Sequence, residues 1–211
     1  MRTEPFERYV EDYEAWFERY RWVYLSELRA VERLLPGKGR ELEVGVGTGR
    51  FAQPLGVEYG IEPAKKMALI ARKRGIKVVR AVGEELPFKN NSFDCVLLVV
   101  TLCFVDEPEK VLKEAKRVLV PGGILIAGIV DKDSFLGRMY ENKKEKSRFY
   151  RYARFYSAGE VIEMLEREGF EDIRVYQTVF HPPEEVKEIE PVREGYGEGG
   201  FVVIGGLKIS D

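Results

Sequence analysis

The run Glu41-Leu-Glu-Val-Gly-Val-Gly-Thr-Gly49 constrains this 211-residue chain more than any other segment. Leu42, Val44 and Val46 alternate as the apolar side chains of a buried strand do. Just before them, Leu34-Leu35-Pro36-Gly37 ends a helical pattern. Gly45, Gly47 and Gly49 follow at two-residue spacing, so the backbone can turn tightly with no Cβ to hold a ligand away. A strand running into such a turn is a nucleotide-binding corner.

Which nucleotide it binds follows from spacing and charge. A dinucleotide fingerprint needs glycine at its first, third and sixth positions. Counting from Gly45, the sixth position is Arg50. Glu43, two residues before Gly45, projects to the same face of the strand. At about 5 Å and an effective dielectric of about 20, its carboxylate would cost a pyrophosphate roughly 3 kcal/mol per facing charge. A phosphate-free adenosine derivative carrying an ammonium or sulfonium would instead be attracted, and S-adenosylmethionine is one.

An acid followed by three alternating glycines, as Glu43, Gly45, Gly47 and Gly49 stand here, resembles the first motif of the class I S-adenosylmethionine-dependent methyltransferases. The resemblance runs from about residue 39 to 130 and returns at the C-terminus. The Leu-Pro-Phe segment at 86–88 and the Ser-Phe-Asp segment at 92–94 resemble the ubiquinone/menaquinone-biosynthesis-like branch. It implies S-adenosyl-L-methionine as cofactor, S-adenosyl-L-homocysteine as product, and methyl transfer to a small-molecule acceptor by direct displacement. A non-catalytic cofactor-binding module and an NAD(P)-dependent oxidoreductase are the rivals.

Apolar and helical periods alternate after Gly49, which predicts an α/β fold with a Rossmann-like, doubly wound, mostly parallel sheet. Expected strands lie at 57–62, 77–81, 93–101, 123–130, 173–179 and 201–207, with helices at 64–74, 107–119 and 157–168. With the strand at 41–46 this makes a seven-stranded sheet in a three-layer α/β/α sandwich. The resemblance implies an antiparallel C-terminal strand. Ser157 and Glu160 have the spacing of a capping box, and Gly169 stops that helix. Residues 4–20 carry an aromatic stripe at helical spacing and a second helix runs to about Leu35. These helices either cover a sheet face or form a cap over the cofactor. One domain over 1–211 is expected.

Glu62 ends the second expected strand, with Pro63 beside it, where a carboxylate can accept from both ribose hydroxyls of an adenosine. The resemblance places the adenine beside Gly83 and Glu84, although Val82 stands where the family usually has an acid. Thr101 and Leu102 close the fourth strand and are expected along the methionine arm. No catalytic base is assigned.

The segment 132–156 is too long for a simple connection. It holds eight basic residues against three acids, and seven aromatics. A substrate lid walling a pocket for a small, anionic molecule is the leading reading, with Tyr140, Tyr150, Arg154 and His181 as pocket candidates. A solvated helix with packing aromatics and an RNA-binding surface are the alternatives, the latter weakened by the acidic stretch 184–198. The tetrapeptide of nucleic-acid amino methyltransferases is absent after the fourth strand, and a net charge of −2 gives no case for nucleic acid.

Two cysteines and one histidine make a metal site improbable. The longest apolar run, 95–105, falls short of the roughly 20 residues of a membrane-spanning helix. Charges interrupt residues 1–17 throughout, against a secretory leader. A cytoplasmic location is the expectation.

Overall fold

The computed structural model describes residues 2–209. Its strands are β1 (Glu41–Val44), β2 (Tyr59–Ile61), β3 (Lys77–Val79), β4 (Phe93–Val99), β5 (Leu119–Val130), β6 (Phe170–Thr178), β7 (Arg193–Glu194) and β8 (Phe201–Lys208). They form one sheet in the order β3-β2-β1-β4-β5-β8-β6-β7. The pairs among β1 to β5 are parallel, and β8 runs antiparallel to both β5 and β6. The mostly parallel, Rossmann-like sheet with an antiparallel C-terminal strand is thus present.

Eight strands stand where seven were expected. The extra one, β7, is a two-residue pairing of Arg193 and Glu194 with Gln177 and Tyr176. Two residues are too few for alternation to register in a sequence. Gln177 fixes this corner, because its side-chain oxygen accepts from the Glu198 and Gly199 N–H groups at 2.9 and 2.7 Å.

Both faces of the sheet are buried, and β4 shows why. Cys95, Leu97 and Val99 face one apolar layer and Val96 and Leu98 the other. The first layer takes in α3 (Arg21–Glu32), α4 (Ala52–Leu55) and α5 (Lys65–Lys73). The second takes in α6 (Pro108–Val118) and α8 (Ala158–Arg167). Each fully buried leucine, such as Leu97 or Leu112, contributes about 1.5–3 kcal/mol by leaving water. Ser157 and Glu160 make the reciprocal capping box at the start of α8, and Gly169 follows its end at φ +77°.

The aromatic stripe at 4–20 is not one helix. It breaks at Tyr9 (φ −115°, ψ 37°) into α1 (Glu4–Arg8) and α2 (Val10–Arg19), and Tyr20 breaks the chain again before α3. Neither position has a proline or glycine to signal it. Tertiary packing causes the bend: Phe6 and Tyr13, on either side of Tyr9, both pack on Phe149. The 132–156 segment holds α7 (Phe135–Lys143) and two single 3-10 turns at 144–146 and 150–152. Ser134 caps α7 by accepting from the Gly137 N–H at 3.0 Å.

Candidate active site

Strand order reverses between β1 and β4, both of which are neighbours of the glycine turn. In open α/β sheets ligands bind beyond the carboxyl ends of strands at such a point. A cavity of about 180 Å³ lies there. Its floor is Glu43, Gly45, Val46 and Gly47 after β1, Glu62 after β2, Val99 to Thr101 after β4, and Val130 after β5.

The glycine turn is built for close approach. Gly45, Gly47 and Gly49 all have positive φ, at +76°, +56° and +86°. A Cβ on Gly45 would lie 2.6 Å from Thr101 Oγ1, and one on Gly47 would lie 2.9 Å from the Tyr13 hydroxyl. The Gly45 and Val46 N–H groups donate to the Ile61 carbonyl, which ties the turn to β2. Thr101 donates to the Val44 carbonyl at 2.9 Å and ties β4 to β1.

Glu62 joins the turn to the next helix. One of its oxygens accepts from the Gly47 N–H at 2.9 Å and the other from the Ala64 N–H at 2.8 Å. Burial raises its carboxyl to about 7 against the pull of those two donors. Glu43 is 2% exposed, and one of its carboxyl oxygens has no hydrogen-bond partner among the described residues. Burial, followed by the like charge of Glu62, pushes its carboxyl well above the usual range, while the Ala52 backbone opposes this. Two desolvated carboxyls, one with an orphaned oxygen, fit a ligand that brings hydrogen-bond donors and a positive charge to favour their ionised forms.

The roof is aromatic. Phe6, Tyr13, Trp16 and Phe17 descend from α1 and α2, and Tyr140, Phe149 and Tyr150 from the 132–156 segment. Tyr140 stacks on Tyr150 at 5.1 Å, and Tyr150 on Phe104 at 5.6 Å. Phe6 packs on Phe149 at 5.5 Å, so the two halves of the roof meet, and it also touches Phe104 edge-on at 5.1 Å. Burial raises the hydroxyls of Tyr13, Tyr140 and Tyr150, which keeps them neutral.

Of the residues expected at the site, Glu43, Gly45, Gly47, Glu62, Thr101, Tyr140 and Tyr150 line this cavity. Gly49 lies behind the turn, where a Cβ would strike Ile76 at 2.3 Å. Leu102 packs in the opposite core layer, because the chain turns over at Val100 (φ +51°), and Val99, Val100 and Thr101 line the cavity without it. Pro63 and Gly83 are also absent from the lining, and Glu84 accepts from the Asp106 N–H at 3.0 Å. Arg154 lies over the Tyr156 ring, and His181 pairs with Glu190 with its side chain 64% exposed, so neither reaches the cavity.

The basic pocket for an anionic molecule expected from this segment is not what the lining shows. Its charged groups are Asp12, Glu27, Glu43, Glu62 and Arg50, and Arg50 is already held by Glu14 and Glu18 at 2.6 and 3.0 Å. None of the segment's cations is among the lining residues, although Arg148 pairs with the lining acid Asp12. Sequence reasoning missed Glu27. It lies four residues after Val23 and four before Val31, both buried, so a carboxylate on the apolar stripe of α3 was the available signal.

Among the described residues no group of His, Cys, Asp or Glu could hold a metal ion, and no helix is long and apolar enough to cross a membrane. Burial drives the Cys95 thiol well up, as suits a core residue.

Residues 42–127 match a family model described as a methyltransferase domain. An uncharacterised protein of Methanocaldococcus jannaschii is 53% identical over 97% of this chain and 98% of its own length. An uncharacterised methyltransferase of Mycobacterium tuberculosis is 36% identical over 59% of this chain and 53% of its own. A crystal structure from Thermotoga maritima, described as an S-adenosylmethionine-dependent methyltransferase, possible histamine N-methyltransferase, superposes with a TM-score of 0.96 at 57% identity, over 98% of this chain and 100% of that one. With the glycine turn, the buried acids and the sheet order already in place, these likenesses put the chain in the family of S-adenosylmethionine-dependent methyltransferases.

Proposed function

We propose that this enzyme methylates a small molecule held in the roofed cavity, by direct displacement. The observation that carries the reading is that one space is lined both by the glycine turn with its two acids and by the aromatic roof of residues 140–150. When bound, the cofactor supplies an electrophilic methyl carbon on a sulfonium, and the bonding pair leaves with sulfur. The chain's part is to orient and to exclude water. Gly45 and Gly47 let the backbone approach, Glu62 accepts from ribose hydroxyls, and Glu43 faces a cationic group. Gly83 and Glu84 are proposed on the adenine side, with Gly83 packed against Val44. The aromatic roof leaves room for a compact acceptor and keeps water out. The Thermotoga relative's description supports nitrogen as the acceptor atom to test first.

The test is calorimetric titration with S-adenosylhomocysteine and with NADH. The expectation is 1:1 binding of the former, at least tenfold tighter than the latter, and its loss in Gly47→Val, whose side chain would drive into Tyr13. Equal binding by the variant, or tighter NADH binding, overturns the reading.

A further inference from the structure

The cavity has two electrostatic halves. Tyr13 feels the charges of Glu43 and Glu62, the acids of the glycine turn, most strongly. Tyr140 and Tyr150, in the 132–156 segment, both feel Glu27. Glu43 and Glu62 are taken up by the cofactor in the function proposed above, on which this inference rests. Glu27 is left over. It comes from α3, is 4% exposed, lines the cavity, and has no hydrogen bond or ion pair among the described residues.

The Glu27 oxygens border the cavity rather than being sealed in the core, and a carboxyl this desolvated is expected to find a partner there in some state of the molecule. Among the described residues no free cation lines the cavity: Arg50 is engaged by Glu14 and Glu18, and Arg154 lies outside it. Trp16, Tyr140, Tyr150 and Phe104 line the same cavity, and aromatic ring faces attract cations. A buried acid that shares a cavity with several aromatic rings is the complement of an ammonium on a compact apolar body.

We propose that Glu27 binds the protonated nitrogen of the methyl acceptor, so that the substrate class is small amines, and that it selects against neutral and anionic acceptors. The same carboxylate is placed to take the proton that an ammonium must lose before its nitrogen has a free electron pair. The N–H bond breaks, the proton moves to a Glu27 oxygen, and the pair stays on nitrogen. None of the tyrosines can do this, because burial holds their hydroxyls protonated. Burial also raises the Glu27 carboxyl to about 8, so pairing with an ammonium is accompanied by loss of its proton.

The experiment titrates protein saturated with S-adenosylhomocysteine with 2-phenylethylamine, histamine, 2-phenylethanol and 3-phenylpropanoate, in the native chain, Glu27→Gln and Glu27→Asp. Both amines, or one, should bind at least tenfold tighter than the alcohol, and the acid should not bind. Glu27→Gln should lose at least tenfold for the amine with the alcohol and S-adenosylhomocysteine unchanged within threefold, and Glu27→Asp should recover part of the loss. Repeating the amine titration in buffers of different ionisation enthalpy should show proton release by the native chain and none by Glu27→Gln. Unchanged amine affinity in Glu27→Gln, preference for the alcohol or the acid, or binding of neither amine at millimolar concentration overturns the proposal. Failure of S-adenosylhomocysteine itself to bind would instead strike the cofactor assignment.

Discussion

Glu27, Glu43 and Glu62 share a chemistry that surface acids lack, because burial penalises their charged forms. For Glu27 the consequence for stability has a definite sign. The unfolded chain loses this proton near 4.5 and the folded chain keeps it to about 8, so the group's contribution falls as pH rises across that window. Glu27→Gln cannot ionise, and it should match the native chain near pH 4.5 and exceed it by on the order of 3–5 kcal/mol at pH 9. Urea denaturation at the two pH values measures this, and a variant less stable at pH 9 would contradict it. Glu62, raised to about 7, gives the matching ligand prediction. Affinity for S-adenosylhomocysteine should climb several-fold from pH 6 to pH 8 as the carboxylate forms, and a flat profile would exclude Glu62 from the ligand's surroundings. Glu43 and Glu62 were legible in the sequence because they sit at fixed distances along strands from the glycines. Glu27 was missed because nothing ties it to the glycine motif, although its four-residue spacing from Val23 and Val31 sets it on the apolar stripe of α3. Arg154 misled for the converse reason: the net charge of a segment does not say which side its cations face.

Among the elements, α1 and α2 are tied down by three carboxylates rather than by burial alone. Glu7 of α1 accepts from the Lys65 and Lys66 N–H groups at the start of α5, where Ala64 has no side chain to cap with. Glu18 holds Arg50 at 3.0 Å. Glu14 of α2 meets Arg50 and Arg74, each at 2.6 Å. Burial works against ionising Glu14, but hydrogen bonds from Arg74, Arg50 and Thr48 outweigh it and hold the carboxyl at about 2. Its folded value lies below its unfolded one, so the stabilisation is full above pH 4.5 and is lost as pH falls toward 2. Glu14→Ala should cost about 2 kcal/mol at pH 7 and almost nothing near pH 2, with the amides of residues 10–19 exchanging faster than those of β4 in deuterium exchange. Equal destabilisation at both pH values would mean that lost packing, not charge, is responsible. Periodicity revealed the aromatic stripe of these helices but not the breaks at Tyr9 and Tyr20, the first of which answers to Phe149, more than a hundred residues away. The parallel core strands were legible because they are apolar on both faces; β7 and the four-residue α4, with Pro54 inside it, are too short to carry a period.

Across the whole molecule, rigidity and mobility divide between floor and roof. The floor hangs on the carboxyl ends of β1, β2, β4 and β5, whose faces are buried by helices on both sides. The roof consists of short elements, α1, α2 and the turns at 144–146 and 150–152, joined by ring contacts and ion pairs at their edges. A ligand seated in the cavity would pack against that roof, and local opening is cheapest where burial is least. Deuterium exchange should therefore rank residues 4–20 and 144–152 well above β4 and β5 in the free protein, and S-adenosylhomocysteine should slow exchange in the roof while leaving the sheet strands unchanged. At one hundred times its dissociation constant the ligand should stabilise the fold by about 2.7 kcal/mol. For a chain of this length that is a rise in Tm of roughly 5–11 °C. Phe149→Ala, which removes the ring shared by Phe6, Tyr9 and Tyr13, should weaken that rise and abolish the protection of residues 4–20 without altering exchange in β4. Protection confined to the glycine turn, with the roof indifferent to ligand, would show that the helices above the cavity only cover the sheet.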